Sequence, residues 1–93
     1  MREAQRILVR AAGRVQGVGF RYFCQSLART LQVSGWVRNL PGGDVELEIQ
    51  GEPKILEEFL QKIKTGPPGA LVGDLQTLEI PTEKNESEFE IRF

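Results

Sequence analysis

Residues 36 to 50, Trp36-Val37-Arg38-Asn39-Leu40-Pro41-Gly42-Gly43-Asp44-Val45-Glu46-Leu47-Glu48-Ile49-Gln50, decide how this chain folds. Val45, Leu47 and Ile49 alternate with Glu46, Glu48 and Gln50, the two-residue period of a strand with one dry face and one wet face. Trp36 to Leu40 reads as another strand. Between them a proline presets φ and two glycines permit positive φ, which is turn chemistry. Strands two and three therefore form a hairpin and run antiparallel.

Working outward toward the start, Ile7 to Ala12 reads as a largely apolar strand, ended by the glycine-rich segment from Gly13 to Gly19. Phe20, Phe23, Cys24, Leu27, Ala28 and Leu31 then recur at steps of three and four, the period of an amphipathic helix, with Tyr22, Gln25, Ser26, Arg29 and Thr30 mainly on the other side. On the far side of the hairpin, Pro53 suits a first helical turn, and Ile55, Leu56, Phe59, Leu60 and Ile63 form a second apolar stripe that Gly66 closes. Leu75, Leu78 and Ile80 suggest a fourth strand. Phe89, Ile91 and Phe93 alternate as a short last one, after a polar stretch from Pro81 to Ser87 that reads as mobile. Two helices with one apolar stripe each need one sheet face to cover. The expected architecture is α+β: a ferredoxin-like βαββαβ sandwich, both helices on one face of a mainly antiparallel sheet, with a short extra carboxyl-terminal strand. That fold hosts many functions and by itself selects none.

At 93 residues, 40 % hydrophobic and 27 % charged, the chain is expected to form one soluble domain over residues 1–93. A single cysteine, Cys24, makes no internal disulfide and sits on the apolar helix stripe, so it reads as core. No apolar run nears the roughly 20 residues of a membrane span, and the first residues lack the pattern of a secretory signal. A cytoplasmic protein with no membrane partner is expected. The net charge of −1 hides an asymmetry, +6 over residues 1–40 and −7 over residues 41–93. Either the halves interleave and cancel, or an anion site lies in the first half. A nucleic-acid surface is disfavoured, since the chain is not basic overall and strands one and three carry no aromatic for base stacking.

The anion reading centres on Gly13-Arg14-Val15-Gln16-Gly17-Val18-Gly19-Phe20-Arg21, which joins a strand to a helix. Three glycines in seven residues let backbone N–H groups converge at a helix start, where the dipole favours an anion. Arg21 adds a guanidinium suited to phosphate oxygens. A glycine-rich turn beside a surface arginine would fit the same residues. Known phosphate loops do not match: five places after Gly13 stands Val18, with no lysine following; the dinucleotide spacing from Gly17 ends on Tyr22; and Thr30, not arginine, lies six places after Cys24.

The nonamer from Gly13 to Arg21 closely resembles the signature of the acylphosphatase family. The family's second signature is similar to Gly35-Trp36-Val37-Arg38-Asn39, at the family's separation from Arg21. The resemblance extends over essentially the whole chain. It implies a free-standing hydrolase of acyl phosphates, in which Arg21 binds the phosphoryl group and Asn39 orients the attacking water. The backbone of Arg14, Val15, Gln16, Gly17, Val18, Gly19 and Phe20 would form the cradle. Read alone, Asn39 fits better as a strand-end residue before a turn, and only the register of the two motifs gives it a role in the site. A carboxylate is a good leaving group, so holding the phosphoryl group and aligning a water suffices. No metal or cofactor is expected, since no His/Cys/Asp cluster exists to hold an ion. Inorganic phosphate is expected as product and competitive inhibitor, and the protein as a monomer.

Overall fold

The computed structural model describes residues 3–93. Seven elements follow one another: β1 (Gln5–Arg14), α1 (Phe20–Leu31), β2 (Ser34–Asn39), β3 (Val45–Gly51), α2 (Pro53–Thr65), β4 (Leu71–Ile80) and β5 (Phe89–Arg92). They make one five-stranded sheet in the order β4-β1-β3-β2-β5. The first four strands pair antiparallel, and β5 joins the outer edge of β2 in parallel. This is the expected ferredoxin-like α+β sandwich. The extra strand closes the edge opposite β4.

The periods read from the sequence set the layers. Val45, Leu47 and Ile49 of β3 are fully buried, together with Val9 and Ala11 of β1 and Val37 of β2. Against them pack Phe20, Cys24 and Ala28 of α1 and Leu56, Phe59 and Ile63 of α2. Phe59 also meets Phe89 of β5, ring centroids 6.2 Å apart. Each Val, Leu, Ile or Phe side chain so withdrawn from water contributes about 1.5–3 kcal/mol.

Gly35 shows why this sheet takes a glycine near the start of β2. It sits at φ +139°, and a Cβ there would collide with the carbonyl of Glu48 on β3. Only a residue without a side chain lets the two strands approach at that point.

Several boundaries differ from the expectation. β1 runs four residues longer than Ile7 to Ala12, so Gly13 and Arg14 belong to the strand, after a bulge between Ala12 and Gly13. The connecting loop is Val15 to Gly19, and Phe20 and Arg21 are already helical. β2 stops at Asn39, and β4 begins at Leu71 rather than near Leu75, because β1 continues far enough to pair with it. Leu78 of β4 faces solvent at 62 % exposure instead of joining the core.

The face opposite the helices holds what the sequence reading missed. Arg6 is 1 % exposed. Its Nε donates to Glu48 at 2.8 Å and its Nη1 donates to Glu86 at 2.7 Å and to Gln50 at 3.1 Å. The N–H of Glu83 donates to the side chain of Gln50 at 2.8 Å. The polar stretch before β5 is thereby fastened across the sheet. Trp36 is buried on this face, beneath the guanidinium groups of Arg38 and Arg92 at 5.3 and 4.8 Å from its ring centre.

Candidate active site

The loop from Val15 to Gly19 is anchored at both ends by apolar burial. Val15 and Phe20 are each 1 % exposed, so the backbone between them is pulled tight over the end of the core. Gly17 and Gly19 both lie at φ +75°, in the left-handed region that costs other residues strain. Gly19 is the residue before α1, and no side chain caps that helix. The helical ladder opens with the N–H of Phe23 bonded to the carbonyl of Gly19 at 2.9 Å. Among the described residues, no backbone carbonyl accepts from the N–H groups of Val15 to Gly19. A row of free donors thus meets the positive end of a helix with no acid in its first turn.

A cavity of about 100 Å³ opens here, lined by Val15, Gly17, Gly19, Phe20, Arg21, Tyr22 and Asn39. Arg21 and Asn39, named from the two motifs, therefore meet in one small pocket. The Oδ1 of Asn39 is buried without a hydrogen-bond donor. Such a buried acceptor costs about 1–3 kcal/mol of desolvation unless a water or ligand group donates to it. The guanidinium of Arg21 lies 4.7 Å from the centre of the Phe93 ring, and its Nη1 donates to the carbonyl of Arg92 over a long 3.4 Å.

The charge asymmetry divides between the two readings offered for it. Arg6, Arg10 and Arg38 pair with Glu48 and Glu86, with Asp44, and with Glu46, so these charges interleave and cancel. Arg14, Arg21 and Arg29 have no acidic partner among the described residues. Of these three, Arg21 is the one that lines the cavity.

Not every residue expected in the cradle lines the pocket. Arg14 ends β1 opposite Leu71, exposed, and neither Val18 nor Gln16 borders the cavity. Gln16 instead turns its side chain across to the β2–β3 turn, where its Nε2 donates to the carbonyls of Leu40 at 2.8 Å and Asp44 at 2.9 Å. Tyr22, placed by its helical period on the outer face, does line the cavity; its position directly after Arg21 was the available signal.

A larger groove of about 690 Å³ runs between the later half of α1 and residues 87–91. It contains none of the motif residues, and its size does not mark it as the site. A phosphoryl-sized anion suits a tight pocket, and the smaller cavity is the one bordered by Arg21, Asn39 and the loop glycines. Cys24 is fully buried. Burial pushes its thiol well up from the ordinary range, against a smaller opposing backbone hydrogen bond, so it offers no thiolate nucleophile. Among the described residues no group of three or more His, Cys, Asp or Glu side chains gathers, and no helix is long and apolar enough to cross a membrane.

The family model for acylphosphatase matches residues 7–91. A curated acylphosphatase of Methanothrix thermoacetophila is 46 % identical over 85 residues, covering 91 % of this chain and 93 % of that one. The crystal structure of acylphosphatase from Bacillus subtilis superposes with a TM-score of 0.91 at 35 % identity, covering 96 % of this chain and 99 % of that one. Full-length HypF, solved in its phosphate- and nucleotide-bound form, contains a similar region with a TM-score of 0.88 at 33 % identity. That match covers 98 % of this chain but 12 % of that one.

Proposed function

The chain belongs to the acylphosphatase family and is a hydrolase acting on acyl phosphates; we propose that it works by holding the phosphoryl group between the Val15–Gly19 loop and Arg21 while Asn39 orients the attacking water. One observation carries the reading. Asn39, whose Oδ1 is buried with no donor from the protein, lines the same small cavity as Arg21 and the loop glycines. A water donating to that oxygen satisfies the orphan and stands beside the bound phosphorus.

The chemistry asks little more. In R–CO–O–PO₃²⁻ the water oxygen bonds to phosphorus as the bond from phosphorus to the bridging oxygen breaks. The electron pair of that bond leaves on the carboxylate. The water's protons end on the inorganic phosphate, one of them passing to a phosphoryl oxygen, so the products are R–COO⁻ and H₂PO₄⁻. Charge on the equatorial oxygens is met by the loop N–H groups, the helix start and the Arg21 guanidinium, all in place before the reaction. The Asn39 amide oxygen accepts from the water and its NH₂ can donate to a phosphoryl oxygen. No side-chain base is required.

The test is hydrolysis of benzoyl phosphate in excess chelator with inorganic phosphate titrated in. The expected result is turnover with competitive inhibition by phosphate. Activity lost to the chelator and restored by magnesium would overturn the reading.

A further inference from the structure

The cavity is small, about 100 Å³, well below the roughly 300–1,000 Å³ of a pocket that encloses a whole drug-sized ligand. The acyl half of a substrate must then lie outside, against whatever borders the mouth.

Two exposed aromatic rings lie beside Arg21, which lines the cavity. Of the seven aromatic residues in the chain, Phe20, Phe59, Phe89 and Trp36 are buried and Phe23 is half-buried against the core. Tyr22 and Phe93 are exposed, at 63 % and 95 %. Both adjoin Arg21. Tyr22 follows it in the first turn of α1 and lines the cavity, and the Phe93 ring lies 4.7 Å from its guanidinium. Apart from Arg21, every residue lining the cavity is uncharged. Exposed rings beside a small pocket supply rigid apolar area with few rotors to freeze, the usual equipment for gripping a planar apolar ligand.

We propose that Tyr22 and Phe93 form the acyl subsite of this enzyme, selecting acyl phosphates whose acyl group is planar and apolar, aryl above small aliphatic. The subsite rests on the phosphoryl reading above, because it starts where the phosphoryl pocket ends. The Tyr22 ring supplies the stacking face, and its hydroxyl is not needed for it. Phe93 is the second wall and also backs Arg21, so its removal disturbs both functions. Tyr22 separates them.

The experiment compares kcat/KM for benzoyl and acetyl phosphate in wild type, Tyr22→Ala and Tyr22→Phe, with inhibition by inorganic phosphate measured alongside. Comparing ratios between variants cancels the intrinsic reactivity of the two substrates. Tyr22→Ala should lower the benzoyl-to-acetyl ratio about tenfold, the scale of losing one apolar contact face in a specificity pocket. Phosphate inhibition should stay within a few-fold, since the backbone donors are untouched, and Tyr22→Phe should keep the wild-type ratio. An unmoved ratio in Tyr22→Ala overturns the subsite while leaving the phosphoryl reading intact. Failure of wild type to hydrolyse either compound overturns the phosphoryl reading, and the subsite with it.

Discussion

The side-chain amide of Gln16 donates to the backbone carbonyl of Leu40 at 2.8 Å, tying the loop between β1 and α1 to the residue that follows Asn39. The same nitrogen donates to the carbonyl of Asp44 at 2.9 Å, so one glutamine spans both ends of the β2–β3 turn. The loop donors and the asparagine come from different parts of the chain. Gln16 is the direct link that holds their spacing.

Gln16→Met should expose that role, because it keeps the length and loses both donors. Two hydrogen bonds at about 1 kcal/mol each set the scale, enough to lower Tm by roughly 8–16 °C. The informative readout is kinetic: kcat should fall about tenfold while phosphate affinity changes little, since the loop N–H groups remain. Equal kcat in Gln16→Met and wild type would reduce the brace to a packing detail.

Arg21→Ala should weaken both phosphate binding and turnover, because a guanidinium on the phosphoryl oxygens acts in ground and transition states alike. A charge-assisted contact of this kind suggests a loss of about 3 kcal/mol. Calorimetric titration with inorganic phosphate measures it. A folded variant with wild-type phosphate affinity would remove Arg21 from the site.

Asn39→Ala should separate positioning from binding. Turnover should drop by orders of magnitude while phosphate still binds within a few-fold of wild type. Stability should hold or rise slightly, because the substitution deletes a buried acceptor that has no partner. Asn39→Asp keeps the shape but turns a negative charge toward the phosphoryl oxygens, and should impair binding as well. Steady-state kinetics beside phosphate titration distinguishes the two variants. Near wild-type turnover in Asn39→Ala would end the water-orienting role.

Arg6 allows a prediction about stability. Burial works against its charge, but Glu86 and Glu48 outweigh that and hold its pKa above the ordinary value. The sign means the contribution is complete through the neutral range and fades only in strong alkali, as the guanidinium deprotonates. Glu48→Gln combined with Glu86→Gln strands a buried cation and should cost about 3–5 kcal/mol. Arg6→Met should cost less, since both carboxylates are about a fifth exposed, at 23 % and 21 %, and can turn to water. Urea unfolding of the two variants ranks them. The reverse order would show that packing around Arg6, rather than its charge, sets the energy.

The division between what the sequence determined and what only folding decided follows the range of the forces. The alternation of Val45, Leu47 and Ile49, the turn at Pro41-Gly42-Gly43, and both helical stripes depend on neighbours a few residues away, so the layers and the hairpin were legible from the chain alone. Arg21 and Asn39 were legible as motif positions too. Their meeting across one cavity was not, because it depends on β2 ending beside the loop in the final strand register, where a one-residue slip would turn Asn39 to the other face. Long-range pairing likewise decided the four extra residues of β1, the parallel docking of β5 at the sheet edge, and the partners of Gln16. Arg6 makes the point most plainly. By sequence it is one arginine among seven in the first forty residues, and only the tertiary fold, by bringing Glu48 and Glu86 from 42 and 80 residues away, gives a charged side chain the partners it needs to be buried.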